Sequence, residues 1–166
     1  MPLLKHGKFV DDPWRDVGDD ATVPVVGPVI FSLARWRVER DELLTRETPL
    51  GLRLKSDQSP IEVADDIDLF NLLALEFPVF TDGRSYSNAK RLRDRYGFTG
   101  EIRAVGDVLR DQYAFMRRCG FDAMVVKDGE TEADWAAAVG AVSVVYQAAS
   151  DGAEAAMFFR QRRRSR

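Results

Sequence analysis

This chain is short of the residues from which most cofactor sites are made. Its 166 residues include one cysteine, Cys119, and one histidine, His6. One cysteine permits no disulfide within the chain. With one histidine beside it, there is no ligand set for structural zinc or for an iron–sulfur cluster held by cysteines. Also missing is any run of about 18 apolar residues that would cross a bilayer as a helix. The opening "MPLLKHGKFVDDPW" has no apolar stretch of the signal-peptide kind. The expectation is a protein of the cytoplasm, away from membranes. Positive charge is not in surplus either: Lys and Arg number 24 against 27 Asp and Glu, a formal charge of −3. No net basic field exists to displace counterions from nucleic acid.

Glycine is present but is not arranged for phosphates. No G-x-G-x-x-G follows an apolar run and no G-x-x-x-x-G-K-[ST] occurs, which argues against dinucleotide and P-loop sites. The stretch "SLARW" lacks the hydroxyl and glycine content of a flavin phosphate cradle. No cofactor is expected. Nucleophilic catalysis lacks its base, because His6 sits with Gly7 between the short arms of "LLKHGKFV", the pattern of a tight β-hairpin turn. Cys119, spaced to share a helical face with Phe115, Gln112 and Val108, reads as a buried structural thiol.

Residues 11 to 28 are acidic, contain Pro and Gly, and read as a linker or extended edge. Beyond them short apolar runs alternate with helical periodicity. "PVIFSL", "LGLRLKS", "EFPVF", "GEIRAVG" and "FDAMVV" read as strands. "ARWRVERDELLTRE", "PIEVADDIDLFNLLALE", "SNAKRLRDRY", "VLRDQYAFMRRC" and "EADWAAAVGAVSVVYQAA" read as helices, the last anchored by Trp135 and Tyr146. Five strands each followed by a helix imply an α/β fold. The expected form is an open three-layer sandwich, Rossmann-like or flavodoxin-like, with a mostly parallel five-stranded sheet covered on both faces, plus an N-terminal β-hairpin. An eight-stranded barrel asks for more strand–helix units than the chain supplies. The expected organisation is hairpin and linker over 1–27, a single α/β domain over 28–150, and a basic, solvated tail over 151–166.

Parallel strands bring the residues that follow them to one edge of the sheet, where ligands of open α/β proteins bind. After the third expected strand stands "TDGRSYS". Gly83 permits a sharp turn, Ser85 and Ser87 offer hydroxyls at a helix start, Arg84 adds a fixed charge and Asp82 is a candidate cap. A helix start of this kind favours anions through its dipole and unpaired N–H groups. The helix continues with Arg91, Arg93 and Arg95. In "EIRAVGD", Arg103 stands in a central apolar strand and needs a carboxylate partner, for which Asp82 and Asp107 are the candidates. Gly106 and Asp107 mark the strand's exit, and Asp82, Asp107 and Asp111 read as caps or as the members of an acid/base pair. An anion site and plain capping with a solvated arginine face both fit these residues.

The series "FPVFTDGRSYSNAKRLRDRYGFTGEIRAVGDVLRDQYAFMRRCGFDA" closely resembles an uncharacterised bacterial family, the domain of unknown function 934. So do "PVIFSLARWRVERDELL" and "LGLRLKSDQSPIEVADDIDLFNLLALEFP" before it and "YQAASDGAEAAMFFRQRRR" after it, which extends the resemblance from about residue 28 to 164. The resemblance implies a place beside the sulfite reductase haemoprotein and phosphoadenylylsulfate reductase, where relatives carry an oxidoreductase label. It carries over Asp82, Gly83, Arg84, Ser85 or Tyr86, Ser87, Arg93, Arg103, Gly106, Asp107, Asp111, Gln112 and the turn from Cys119 to Asp122. Asn88, Lys90 and the acidic "SDGAEAAMF" depart from the family's pattern.

Two functions are the expectations from that point. One is an accessory protein of assimilatory sulfate and sulfite reduction, without a cofactor. It would bind the sulfite reductase haemoprotein or its electron donor through Arg84, Arg91, Arg93, Arg95 and the basic tail. The other is an oxyanion- or nucleotide-binding enzyme or sensor of sulfur metabolism, taking a sulfur oxyanion at Arg84, Ser85, Ser87 and Arg103 with Asp107 as acid or base.

Overall fold

The structure is a computed structural model that describes residues 1–140. The chain opens with β1 (Leu3–Lys5) and β2 (Lys8–Val10), an antiparallel hairpin whose turn holds His6 and Gly7 at φ of 51° and 82°. Both values lie where type I′ hairpin turns need them. The remaining strands are β3 (Arg15–Asp16), β4 (Val29–Ser32), β5 (Leu50–Leu54), β6 (Leu72–Phe77), β7 (Glu101–Gly106) and β8 (Ala123–Val125). From β3 to β8 they run parallel, each beside its neighbour in sequence, and β1 adds antiparallel to β8. One mixed sheet of eight strands results, in the order β2-β1-β8-β7-β6-β5-β4-β3.

That order corrects the expected five-stranded sandwich. Strand order never reverses, so there is no switch-point crevice of the Rossmann or flavodoxin kind. Successive crossovers in one direction, of the one hand that parallel connections take, keep the helices α1 (Leu33–Leu43), α2 (Arg84–Asp94), α3 (Tyr113–Arg118) and α4 (Glu132–Gly140) on one side. Phe31, Leu52, Leu54, Leu73, Leu75, Phe77, Ile102, Ala104 and Met124 alternate onto that side. They pack against Trp36 of α1, Leu92 of α2, Met116 of α3 and Trp135 of α4. The other side carries Ile30, Leu72 and Ala74, packed against Trp14 and Val105, with no helix residue.

Chain length shows how strongly the sheet bends. Val10 pairs in β2 at one edge and Arg15 in β3 at the other. On a flat sheet these edges would be about 33 Å apart at ~4.8 Å per strand. Five residues span at most about 18 Å. The sheet therefore curls, with the helices on its convex side. The segment expected as a linker crosses the concave side as a strap and supplies β3.

The third strand also differs from expectation. It begins at Leu72 and ends at Phe77, so "LLAL" lies in strand and Pro78, Val79 and Phe80 lie beyond it, exposed. Pro78 has no N–H for the ladder, whereas Leu72, Leu73, Ala74 and Leu75 are buried from both faces of the sheet. The helix expected ahead of it is a 3₁₀ segment, Pro60–Leu69, interrupted at Val63. Trp135 is buried as expected. Tyr146 and the tail 151–166 lie outside the described residues.

Candidate functional site

The turn between β6 and α2 holds an anion, and the anion belongs to the chain. Asp82 accepts from the backbone N–H of Arg84 at 3.2 Å, from its Nε at 3.0 Å and from its Nη2 at 2.7 Å. Arg84 Nη2 also donates to Ser56 Oγ at 3.0 Å. Hydrogen bonding from Arg84, then from Ser56, holds the Asp82 carboxyl well below the usual carboxylate range. The side chain of Asp82 thus occupies the helix start, where an anionic ligand would accept its bonds.

The other residues of this turn are differently placed from their sequence expectations. Gly83 has φ −84°, which any residue adopts, so glycine is not required for the turn. Ser85 is 1% exposed and donates its hydroxyl to the Glu76 carbonyl at 2.7 Å, bracing α2 against β6. Ser87 is exposed.

Arg103 is not part of this edge. Ile102 and Ala104 face the helices, so the side chain between them lies on the concave side. Its partners are neither Asp82 nor Asp107: Nε donates to Glu101 Oε1 and Nη1 to Asp12 Oδ2, each at 2.8 Å. An interior guanidinium demands a carboxylate, and here one comes from two residues before it on the same strand and the other from the strap. Arg84 and Arg103 therefore do not form one pocket.

Of the α2 arginines, Arg93 is structural. It donates to the carbonyls of Gly120, Phe98 and Gly100 and to the Asp122 carboxylate, tying α2 to the turn before β8. Arg84, Arg91 and Arg95 stay exposed and share one face by their spacing of seven and four.

At the end of β7, Gly106 has φ 97°, and a Cβ there would stand 2.3 Å from the Phe77 carbonyl oxygen. Only glycine fits this position. Asp107 accepts from Lys127 Nζ at 2.9 Å and from the Phe80 N–H at 3.0 Å. Lys127 first, then that backbone bond, lowers its carboxyl below the ordinary range. Asp107 and Asp111 do not form an acid/base pair: Asp107 is bound to Lys127, while Asp111 stands exposed at the 3₁₀ turn Arg110–Gln112. Gln112 Nε2 donates to the Phe80 carbonyl at 2.9 Å.

The apolar members of this edge carry no catalytic residue type that would mark them in the sequence. Val79, Phe80 and Phe115 are 52%, 48% and 55% exposed. Tyr86 packs at a tilt against Phe115 with ring centroids 4.9 Å apart and edge-on against Phe77 at 5.0 Å. Its hydroxyl is buried without a partner, and burial, with the charges of Cys119 and Asp111, pushes its pKa up to about 12. The signal available in the sequence was Pro78, which ends the strand and leaves Val79 and Phe80 with nowhere to be buried.

Fold and site together define an α/β protein with a curled mixed sheet. At its strand ends, Asp82 with Arg84 and Asp107 with Lys127 are paired to each other, and an aromatic surface stands beside them. The chain belongs to the family described as "Bacterial protein of unknown function (DUF934)", which matches residues 51–157, well over half of its length. β1 to β4, α1 and the strap precede the matched region. No curated protein matches the chain. No helix among the described residues is long and apolar enough to cross a membrane.

Proposed function

We propose that this protein is an accessory component of sulfite reduction that binds the sulfite reductase haemoprotein or its acidic electron donor. The process comes from the family resemblance. The mode of action rests on one observation: Val79, Phe80 and Phe115 stand half in solvent at the strand-end edge, beside an exposed arginine face. Gln112 joins Phe80 to α3, and Tyr86 joins Phe115 to α2. Aromatic groups with arginine at their border are what protein interfaces concentrate, and scattered single apolar residues are not. Arg91 and Arg95 supply attraction to an acidic partner, Arg84 being paired with Asp82.

The second reading, an oxyanion or nucleotide site at Arg84, Ser85, Ser87 and Arg103, is weakened by the same geometry. Asp82 occupies the cradle, Ser85 is spent on Glu76, and Arg103 faces the other way.

The test is binding of the purified haemoprotein, and separately of its donor, to the wild type and to Phe80→Ser, Phe115→Ser and Arg91→Glu. Each exposed substitution is expected to weaken binding by about tenfold, with Arg91→Glu also flattening the salt dependence. Equal binding by all four proteins, or by none, removes the proposal.

A further inference from the structure

The strand pairings place Ser32, Arg53, Ala74, Arg103, Ala123 and Lys5 in one row across β4, β5, β6, β7, β8 and β1. Directly paired residues point to the same side, and Arg103 and Ala74 fix that side as the concave one. Cations therefore alternate with small residues. Arg53 and Arg103 are separated by the strand of Ala74, about 10 Å between Cα atoms. Ala74 and Ala123 reach only a methyl group into the space between cations.

The sheet itself answers only part of this charge. Glu101 accepts from Lys5 at 2.7 Å and from Arg103 at 2.8 Å. Burial works against its ionisation, but Lys5 and Arg103 outweigh it and hold the carboxyl below its usual range. Three cations and one carboxylate leave the row with two positive charges. The strap supplies two carboxylates to the cations, Asp12 on Arg103 at 2.8 Å and Asp16 on Arg53 at 2.6 Å, and a third, Asp19, to the hydroxyl of Ser32 at the end of the row. Asp16 is an imperfect occupant, since its burial, together with the charge of Asp19, outweighs the pull of Arg53 and raises its pKa. Trp14 lies between the two acids and packs on Ile30, Leu72 and Ala74. Gly51 makes that seat, as a Cβ there would come within 3.0 Å of Ile30 Cγ1 and of the Trp14 ring.

We propose that the concave row Arg53, Arg103 and Lys5 is a binding site for a small tetrahedral dianion of the sulfate or phosphate class, and that Asp12 and Asp16 close it as an internal competitor. The strap matches such a ligand in charge and in carboxylate-for-oxyanion geometry, and arginine holds either by parallel N–H bonds. Asp12 and Asp16 keep 32% and 45% of their side-chain surface in solvent, while Arg103 keeps 2%. Water reaches the acids, Asp12 on the open strap and Asp16 in β3 beside the hydrogen-bonded amides of Arg15 and Val17, whereas the buried guanidinium must always have a partner. A dianion that enters takes over that partnership and frees residues 11–16. This site is on the concave face and not at the strand-end edge that carries the proposed protein-binding surface, and it stands or falls separately from it.

The experiment uses the full chain with inorganic sulfate and inorganic phosphate as probes, at constant ionic strength made up with chloride. Calorimetry compares the wild type with Asp12→Asn/Asp16→Asn, which keeps the strap's shape and leaves Glu101 on Arg103. The double variant is expected to bind the dianion at least about tenfold more tightly, because a competitor-closed site lowers apparent affinity by its closed fraction. Adding Arg53→Gln to it should abolish the gain. A second measurement needs no variant: backbone amide exchange in residues 11–16 of the wild type should quicken with sulfate or phosphate and not with chloride. Equal affinity in the wild type and the double variant, or exchange indifferent to the anion, overturns the proposal and leaves the row as a set of ion pairs that fastens the strap.

Discussion

Asp82 and Arg84, two residues apart, meet through both guanidinium edge nitrogens and one backbone N–H, so the helix start of α2 is filled by a carboxylate of its own chain. The depressed pKa of Asp82 fixes the sign of its pH effect. A group whose carboxyl is more acidic when folded contributes stability above its unfolded pKa, about 3.9, and loses it as pH falls through the folded value. Asp82→Asn should therefore be less stable than the wild type at pH 7 in urea, with the gap closing on acidification below about pH 4. A gap that stays constant with pH would contradict the pairing.

Two glycines that look alike in sequence should behave oppositely. Gly106→Ala drives a Cβ into the Phe77 carbonyl at positive φ and should cost about 1–3 kcal/mol or more. Gly83→Ala meets nothing closer than Tyr86 Cδ2 at 3.9 Å and should cost less than about 1 kcal/mol. Urea midpoints of the two variants check the contrast.

Arg91 and Arg93 differ in the same way. Arg93→Ala removes bonds to three carbonyls and to Asp122, and should cost at least about 2 kcal/mol. Arg91→Ala, on the exposed side of α2, should stay within about 0.5 kcal/mol. Variants meant to probe partner binding therefore belong at Arg91, where weaker binding cannot be a consequence of lost folding.

The hairpin, β4, β5, β7, β8 and Gly106 could be read from the sequence because each is announced locally, by a turn pair, an apolar run or a glycine at a strand exit. β3 could not, since two residues carry no periodicity. Nor could the second partner of Arg103: Glu101 stands two residues before it on the same strand face, but Asp12 lies 91 positions away, and nothing local distinguishes it from Asp11. The concave row depends on register across six strands, which no single segment contains. At the candidate site, the sequence indicated that "TDGRSYS" suits an anion. It could not indicate that Asp82 turns back onto Arg84 and becomes that anion, because the choice depends on Ser56 arriving from β5's loop to hold the guanidinium.

Tyr86 offers a test of the packing beneath the exposed aromatic group. Its hydroxyl is buried with no partner, so Tyr86→Phe should leave stability at pH 7 unchanged or slightly higher. Its pKa, pushed up to about 12, means that the wild type loses stability as pH rises from the unfolded value of about 10 toward 12. The variant should lack that part of the alkaline loss, measurable by urea unfolding across the same range. An unchanged alkaline profile would place the hydroxyl in water.

The most direct measurement of the proposed function is the rate of sulfite reduction by the reconstituted haemoprotein and its electron donor, with and without this protein, alongside co-elution on a sizing column. A faster rate together with a complex is expected, both lost in Phe80→Ser/Phe115→Ser while Tyr86→Phe retains them. No change in rate and no complex would contradict it.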